Sequence, residues 1–196
     1  MKHIICLFFL SVCSTWAQTA ICIGERFTLP STIMGGERTI DLYLPPSYND
    51  SSLIPTDYPV VYLLDAQTNF NYFTTLMEKL TQGIPNIPEM IVVGIESTER
   101  DNDFTTENDH FWKFVREELK PLVEGKYRCK DFRIVVGHSI GGLSVVDALI
   151  KHTDLFNAYI AHDPSLWWGE GYGIKLFEQS KGKDFQNRLL YITHTG

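Results

Sequence analysis

The sequence has no block of lysine and arginine: 17 basic residues stand against 24 acidic ones, for a formal net charge of -7. Without a basic stripe the footprint that holds a phosphate backbone is missing, which excludes nucleic acid as a partner. No apolar run reaches the roughly 18 residues needed to cross a bilayer, so no integral membrane span is expected in the mature chain. Cysteine is scarce, with 4 in all, and Cys6 and Cys13 lie close to the N-terminus. That leaves Cys22 and Cys129, which an oxidising compartment would allow to pair but which a domain of this size does not need as a staple. No second histidine or carboxylate stands at zinc spacing from His162, so no metal site is expected. Neither a Gly-Lys-Ser/Thr ending nor a Gly-x-Gly-x-x-Gly loop occurs, which argues against a phosphate cradle. No repeat, low-complexity tract or linker divides the 196 residues.

What is present begins with a targeting pattern. Lys2 supplies a positive start, Ile4 to Val12 a short apolar stretch, and Thr15-Trp16-Ala17 a cleavage site before Gln18. Residues 1–17 are therefore expected to be a signal peptide, and 18–196 an exported domain, periplasmic or secreted. Leu10-Ser11-Val12-Cys13 loosely resembles a lipoprotein signal, the alternative in which Cys13 carries lipid. Cleavage removes one lysine and no acid, so the mature charge becomes -7 - 1 = -8.

Arg26 to Ile33 and Arg38 to Leu44 read as strands flanking Gly35-Gly36, the turn chemistry of an antiparallel hairpin. Tyr58 to Leu64, Met90 to Ile95, Phe132 to Val136, Ala158 to Ala161 and Leu189 to Thr193 are short apolar runs without alternation. Such runs suit strands buried on both faces of a mostly parallel sheet. Helical patterns lie between them: Tyr72 to Leu80, then Phe111, Val115, Leu119 and Leu122, then Leu143 to Ile150, with Pro121 expected to kink or end the second. Strands alternating with helices predict an α/β three-layer sandwich whose sheet is mixed only at the hairpin edge.

One motif carries chemistry. Gly137-His138-Ser139-Ile140-Gly141 is a Gly-x-Ser-x-Gly directly after the buried run FRIVV and directly before the helical GLSVVDALI. A serine on so sharp a strand-to-helix turn needs glycines beside it, because larger side chains would meet crowded backbone. The helix start favours negative charge developing next to it. Ser139 is thus the candidate nucleophile. The oxyanion donors of this architecture are the N–H after the nucleophile, here Ile140, and one from the loop after an earlier strand, here Ala66 or Gln67.

At this point the sequence resembles the esterases of the α/β-hydrolase superfamily, the group containing esterase D and the enterochelin esterase-like enzymes. The resemblance runs from Glu25 to Gly196 through YPVVYLLD, VVGIESTERDNDFT, FRIVVGHSIGGLSVVDAL and FNAYIAHDPSLWW. It implies hydrolysis of small carboxylic esters (siderophore esters, acylated sugars, thioesters) with neither metal nor organic cofactor. It also implies a triad in the order serine, acid, histidine, with the histidine after the last strand. RLLYITHTG resembles the family's penultimate long strand, so the last strand, the last helix and the catalytic histidine are expected beyond Gly196. On that expectation the 196-residue chain is either a piece of an esterase or a catalytically impaired binding remnant of one.

Within the chain, Asp163 follows a strand end and is a candidate acid, with a turn-forming role before Pro164 as the alternative. His194 is the candidate base, at a strand end near the C-terminus. His138 is expected beneath the elbow. Trp167 and Trp168 are candidates for a substrate pocket, or for core.

The N-terminal pattern makes one direct prediction: mass spectrometry of the natural protein should find it outside the cytoplasm, beginning at Gln18. A soluble cytosolic species that retains Met1 would contradict this, and a lipidated Cys13 would favour the anchored form.

Overall fold

The computed structural model describes residues 19–106 and 108–194, so the signal region, Cys13 and Gln18 lie outside the described residues. The short apolar runs form one seven-stranded sheet, in the order β1 (Glu25–Ser31), β2 (Gly36–Tyr43), β4 (Ile91–Ile95), β3 (Tyr58–Leu64), β5 (Cys129–His138), β6 (Ala158–His162) and β7 (Leu189–Thr193). β1 and β2 pair antiparallel, as does β2 with β4; every other pairing is parallel. This is the mixed α/β sandwich that the sequence pattern predicts.

Alternation decides the layers. On β3, Val61 and Leu63 face α1 (Ala66–Thr81) and join its Phe70 and Met77 in one apolar cluster. Val60, Tyr62 and Leu64 face the opposite side, in a larger cluster with Phe104, Phe111, Trp112, Val145 and Leu149. The helices of that side are α2 (Arg100–Phe104), α3 (Asp109–Phe114), α4 (Lys120–Lys126), α5 (Ile140–Lys151) and α6 (Trp168–Gln179). All seven residues of β3 are buried, as a central strand covered on both faces requires. The edge strands are less covered: β1 is largely exposed, and on β7, at the opposite edge, Leu189, Leu190, Tyr191 and Ile192 are exposed.

Three details depart from the sequence pattern. α1 begins at Ala66 rather than near Tyr72, because Ala66 and Phe70 pack directly against Gly94 of β4. Pro121 neither ends nor breaks its helix. The turn before it, Val115–Leu119, is π-helical, with Lys120 N–H donating to the Val115 carbonyl, and Pro121 falls in the first turn of α4, where its missing N–H is tolerated. The hairpin turn spans 32–35, with Gly35 at φ 72°, while Gly36 opens β2.

The π turn also anchors that hairpin. Glu118 accepts hydrogen bonds from Thr32 N–H at 3.0 Å, Thr32 Oγ1 at 2.7 Å, Ile33 N–H at 3.3 Å and the Ser31 hydroxyl. Burial acts to raise the Glu118 carboxyl, but these donors outweigh it and hold the group below its ordinary value of 4.5. A depressed carboxyl stabilises the fold above its unfolded pKa, and that contribution fades as pH falls through the folded value. Glu118→Gln should therefore lower the thermal midpoint at pH 7 by about 2–4 °C, on the order of 1 kcal/mol for a chain of this size. The gap between variant and parent should close as pH falls from the ordinary carboxyl range through the lower folded value. A gap independent of pH would remove the carboxylate from the argument.

Candidate active site

β5 lies beside the central strand β3, and its neighbours β3 and β6 run parallel to it. From β3 the chain crosses to β4 on one side, and the later β5 pairs with β3 on the other. The C-terminal ends of β3 and β5 therefore flank the point where strand order reverses, the usual ligand crevice of an open α/β sheet. Asp65 follows one strand and Ser139 the other.

Ser139 adopts φ 58°, ψ -120°, a conformation rare for a residue with a side chain. Such strain costs on the order of 1–3 kcal/mol and persists only where surroundings over-determine it. Here they do. Ser139 N–H donates to the His162 carbonyl at 3.1 Å, and the Ser139 carbonyl accepts from Leu143 and Ser165, each at 3.0 Å. The hydroxyls of Ser139 and Ser165 meet at 3.2 Å. A β-carbon on Gly137 would fall 2.3 Å from the Gly141 carbonyl oxygen, and one on Gly142 would fall 3.0 Å from Pro164 Cα. The flanking glycines thus permit the turn by close approach of backbone to backbone.

Ile140 opens α5, and Ala66 and Gln67 open α1. Helix geometry leaves the first N–H groups of each helix without an intrahelical acceptor. The Gln67 amide is fixed on the Ser97 backbone, donating from Nε2 at 2.9 Å and accepting at Oε1 at 3.3 Å. Asp65, in left-handed backbone with φ 56°, forms a bidentate pair with Arg100, Nε to Oδ1 at 2.6 Å and Nη2 to Oδ2 at 2.9 Å. Asp65, Gln67, Thr68, Asn69, Arg100, His138 and Ser139 wall a cavity of about 280 Å³. A larger hollow of about 590 Å³ lies where β3 begins, lined by Pro59, Pro85 and Pro88 among others, away from the ends where such sheets bind ligands.

Residues 31–188 of this chain match the family described as "Putative esterase". The chain belongs to that esterase family. It is 32% identical over 188 residues to the ferri-bacillibactin esterase BesA of Bacillus subtilis (strain 168), covering 78% of this chain and 64% of that protein. An IroE-like serine hydrolase from Shewanella oneidensis superposes with a TM-score of 0.80 at 33% identity, covering 86% of this chain and 60% of that one. The siderophore hydrolase EstB from Aspergillus nidulans shares the fold, at a TM-score of 0.77 and 22% identity, covering 87% of this chain and 66% of its own. The chain thus spans less than two thirds of the length of these relatives.

Within this esterase fold the other candidates are distributed unevenly. Asp163 and His194 come together, Oδ1 to Nδ1 at 3.4 Å, at the same sheet end as Ser139. Asp163 also turns the chain with φ 43° while its N–H donates to the Thr193 carbonyl at 3.0 Å. Among the described residues, however, no histidine nitrogen hydrogen-bonds to the Ser139 hydroxyl. His138 is exposed rather than packed under the turn, its ring 5.2 Å from that of His162. Trp167 is 74% exposed, and neither it nor Trp168 walls the Ser139 cavity. Cys22 and Cys129 are free thiols, and burial raises Cys129 to about 11. Among the described residues no group of three or more His, Cys, Asp or Glu is placed to hold a metal ion.

Sequence reasoning missed Arg100 and Ser165. Arg100 sits within ESTERDNDFT and Ser165 within DPSLWW, segments that mark the resemblance, but neither partner is near in sequence. The close contacts at the elbow carry a prediction. Gly137→Ala should destabilise the fold by about 3 kcal/mol, from overpacking against backbone that cannot yield. Gly125→Ala, which meets open space, should shift stability by less than about 1 kcal/mol in denaturant unfolding. Equal effects would show that the elbow tolerates a β-carbon.

Proposed function

We propose that this chain is the exported catalytic domain of a serine carboxylic ester hydrolase, with Ser139 as the nucleophile of an acyl-enzyme mechanism. The observation that carries the reading is the strained, fully braced Ser139 at the crevice between β3 and β5. Attack by Ser139 Oγ on an ester carbonyl forms a tetrahedral oxyanion. The unpaired N–H groups of Ile140 and of Ala66 or Gln67 are the donors proposed to receive it. Collapse expels the alcohol and leaves an ester on Ser139, which water then cleaves. No metal or organic cofactor enters these steps. Small siderophore esters are the favoured substrate class, by analogy with BesA, named a ferri-bacillibactin esterase, and EstB, named a siderophore hydrolase; acylated sugars and other small esters share the chemistry.

Asp163 and His194 are the acid and base that the described chain offers. An imidazole whose Nδ1–H faces a carboxylate presents Nε2 as proton acceptor, the tautomer that general-base catalysis needs. The 3.4 Å contact supports this pairing.

An organophosphonate ester should label Ser139 covalently, and Ser139→Ala should abolish the label. Ser144, fully buried under the elbow, is the internal control; Ser165, which touches the nucleophile, is not. His194→Ala should slow labelling by roughly a hundredfold or more if His194 takes the proton. Labelling that survives Ser139→Ala would remove the elbow from the mechanism, and an unchanged rate in His194→Ala would remove His194 alone.

A further inference from the structure

Asp65 occupies the N-cap position of α1, yet its side chain makes no capping hydrogen bond. Its left-handed backbone directs the carboxylate away from its own helix and onto Arg100. The aspartate side chain is 5% exposed, so its charge is held out of water. A buried carboxylate without a partner is strongly disfavoured, and a two-pronged guanidinium is the partner best matched to it.

The location gives this pair a role beyond stability. Asp65 Oδ2 lies 3.1 Å from where a β-carbon on Gly141 would stand. The carboxylate therefore rests against the first turn of α5, next to Ile140, and belongs to the residue just before Ala66. It therefore borders the starts of both helices whose first N–H groups are assigned to the oxyanion. An unneutralised carboxylate at that place would oppose the negative charge that those donors must stabilise.

We propose that Arg100 is a positioning residue of the esterase site, one that cancels the Asp65 charge and holds its carboxylate off the oxyanion, leaving the N–H groups of Ile140, Ala66 and Gln67 to the substrate. This rests on the reading of Ser139 as nucleophile. Among the residues walling the Ser139 cavity, Arg100 is the sole lysine or arginine. Its hydrogen bond to Asp65 raises the guanidinium pKa further, so the cation persists at every working pH. The Gln67–Ser97 amide contacts bind the same two loops together a second time, which fixes Arg100 and Asp65 in register.

Phenylboronic acid separates this role from a merely structural one and does not require turnover. Boron bonds to Ser139 Oγ, the hydroxyl proton passes to solvent, and the tetrahedral anionic boronate places an oxygen where the oxyanion would lie. Boron-11 NMR titration should show a parent adduct that Ser139→Ala abolishes. Arg100→Gln should weaken that adduct by at least about tenfold, the scale of one uncompensated charge nearby. The Asp65→Asn/Arg100→Gln double variant, lacking both charges, should return to within about threefold of the parent. Arg100→Lys, which keeps the charge but loses the fork, should fall between and serves if Arg100→Gln does not fold. Binding by Arg100→Gln within about twofold of the parent would overturn the inference, as would a folded double variant no better than Arg100→Gln. If the parent gives no Ser139-dependent adduct, the nucleophile reading itself fails and the inference falls with it.

Discussion

Everything at the functional end of this molecule depends on one backbone constraint: the chain must leave a buried central strand and enter a helix within a single residue, Ser139. That residue pays in strain for a hydroxyl presented beyond the sheet. The conformation is held because β6 supplies an acceptor at His162, α5 a donor at Leu143, and the segment after β6 a donor and a hydroxyl at Ser165. Each brace comes from a different element, so the elbow is only as good as the sheet beneath it. The buried runs of β3, β5 and β6 set the height and register of all three loops.

Electrostatics follow from that packing. Two helices start within the same crevice, and their first N–H groups favour an anion there. Asp65 already brings one, compensated by Arg100. The chain as a whole is acidic, at -7, so an unbalanced carboxylate next to Ser139 would add to a field that already repels anions. A local ion pair, rather than overall charge, balances that carboxylate. The same principle operates at the periphery, where Glu118 collects donors from the β1–β2 turn and fixes the edge of the sheet.

The core strands were legible because strands covered on both faces have no choice but to be continuously apolar. YPVVYLL, buried along its whole length, and the IVV at the heart of β5 admit little else. The elbow was legible because Gly137, Ser139 and Gly141 must stand at fixed spacing between a strand and a helix. The start of α1 was not, since Gln67, Thr68 and Asn69 carry no helical pattern and fold as helix because Ala66 and Phe70 fit over Gly94. Pro121 misleads for a related reason: one π turn relocates it to where its missing N–H does no harm. Arg100 and Ser165 stand 35 and 26 positions from their partners, separations that no local pattern encodes. His138 and Trp167 show the converse, residues beside a motif that the fold turns outward.

The central claim is that Ser139 accepts an acyl group. Its most direct test is rapid acid quench of the protein mixed with excess p-nitrophenyl acetate, followed by peptide mass spectrometry. The account predicts a mass increase of one acetyl group on Ser139, formed in step with release of p-nitrophenol and absent from Ser139→Ala. An acetyl group found elsewhere in the chain but not on Ser139, with nitrophenol release unchanged in Ser139→Ala, would contradict it.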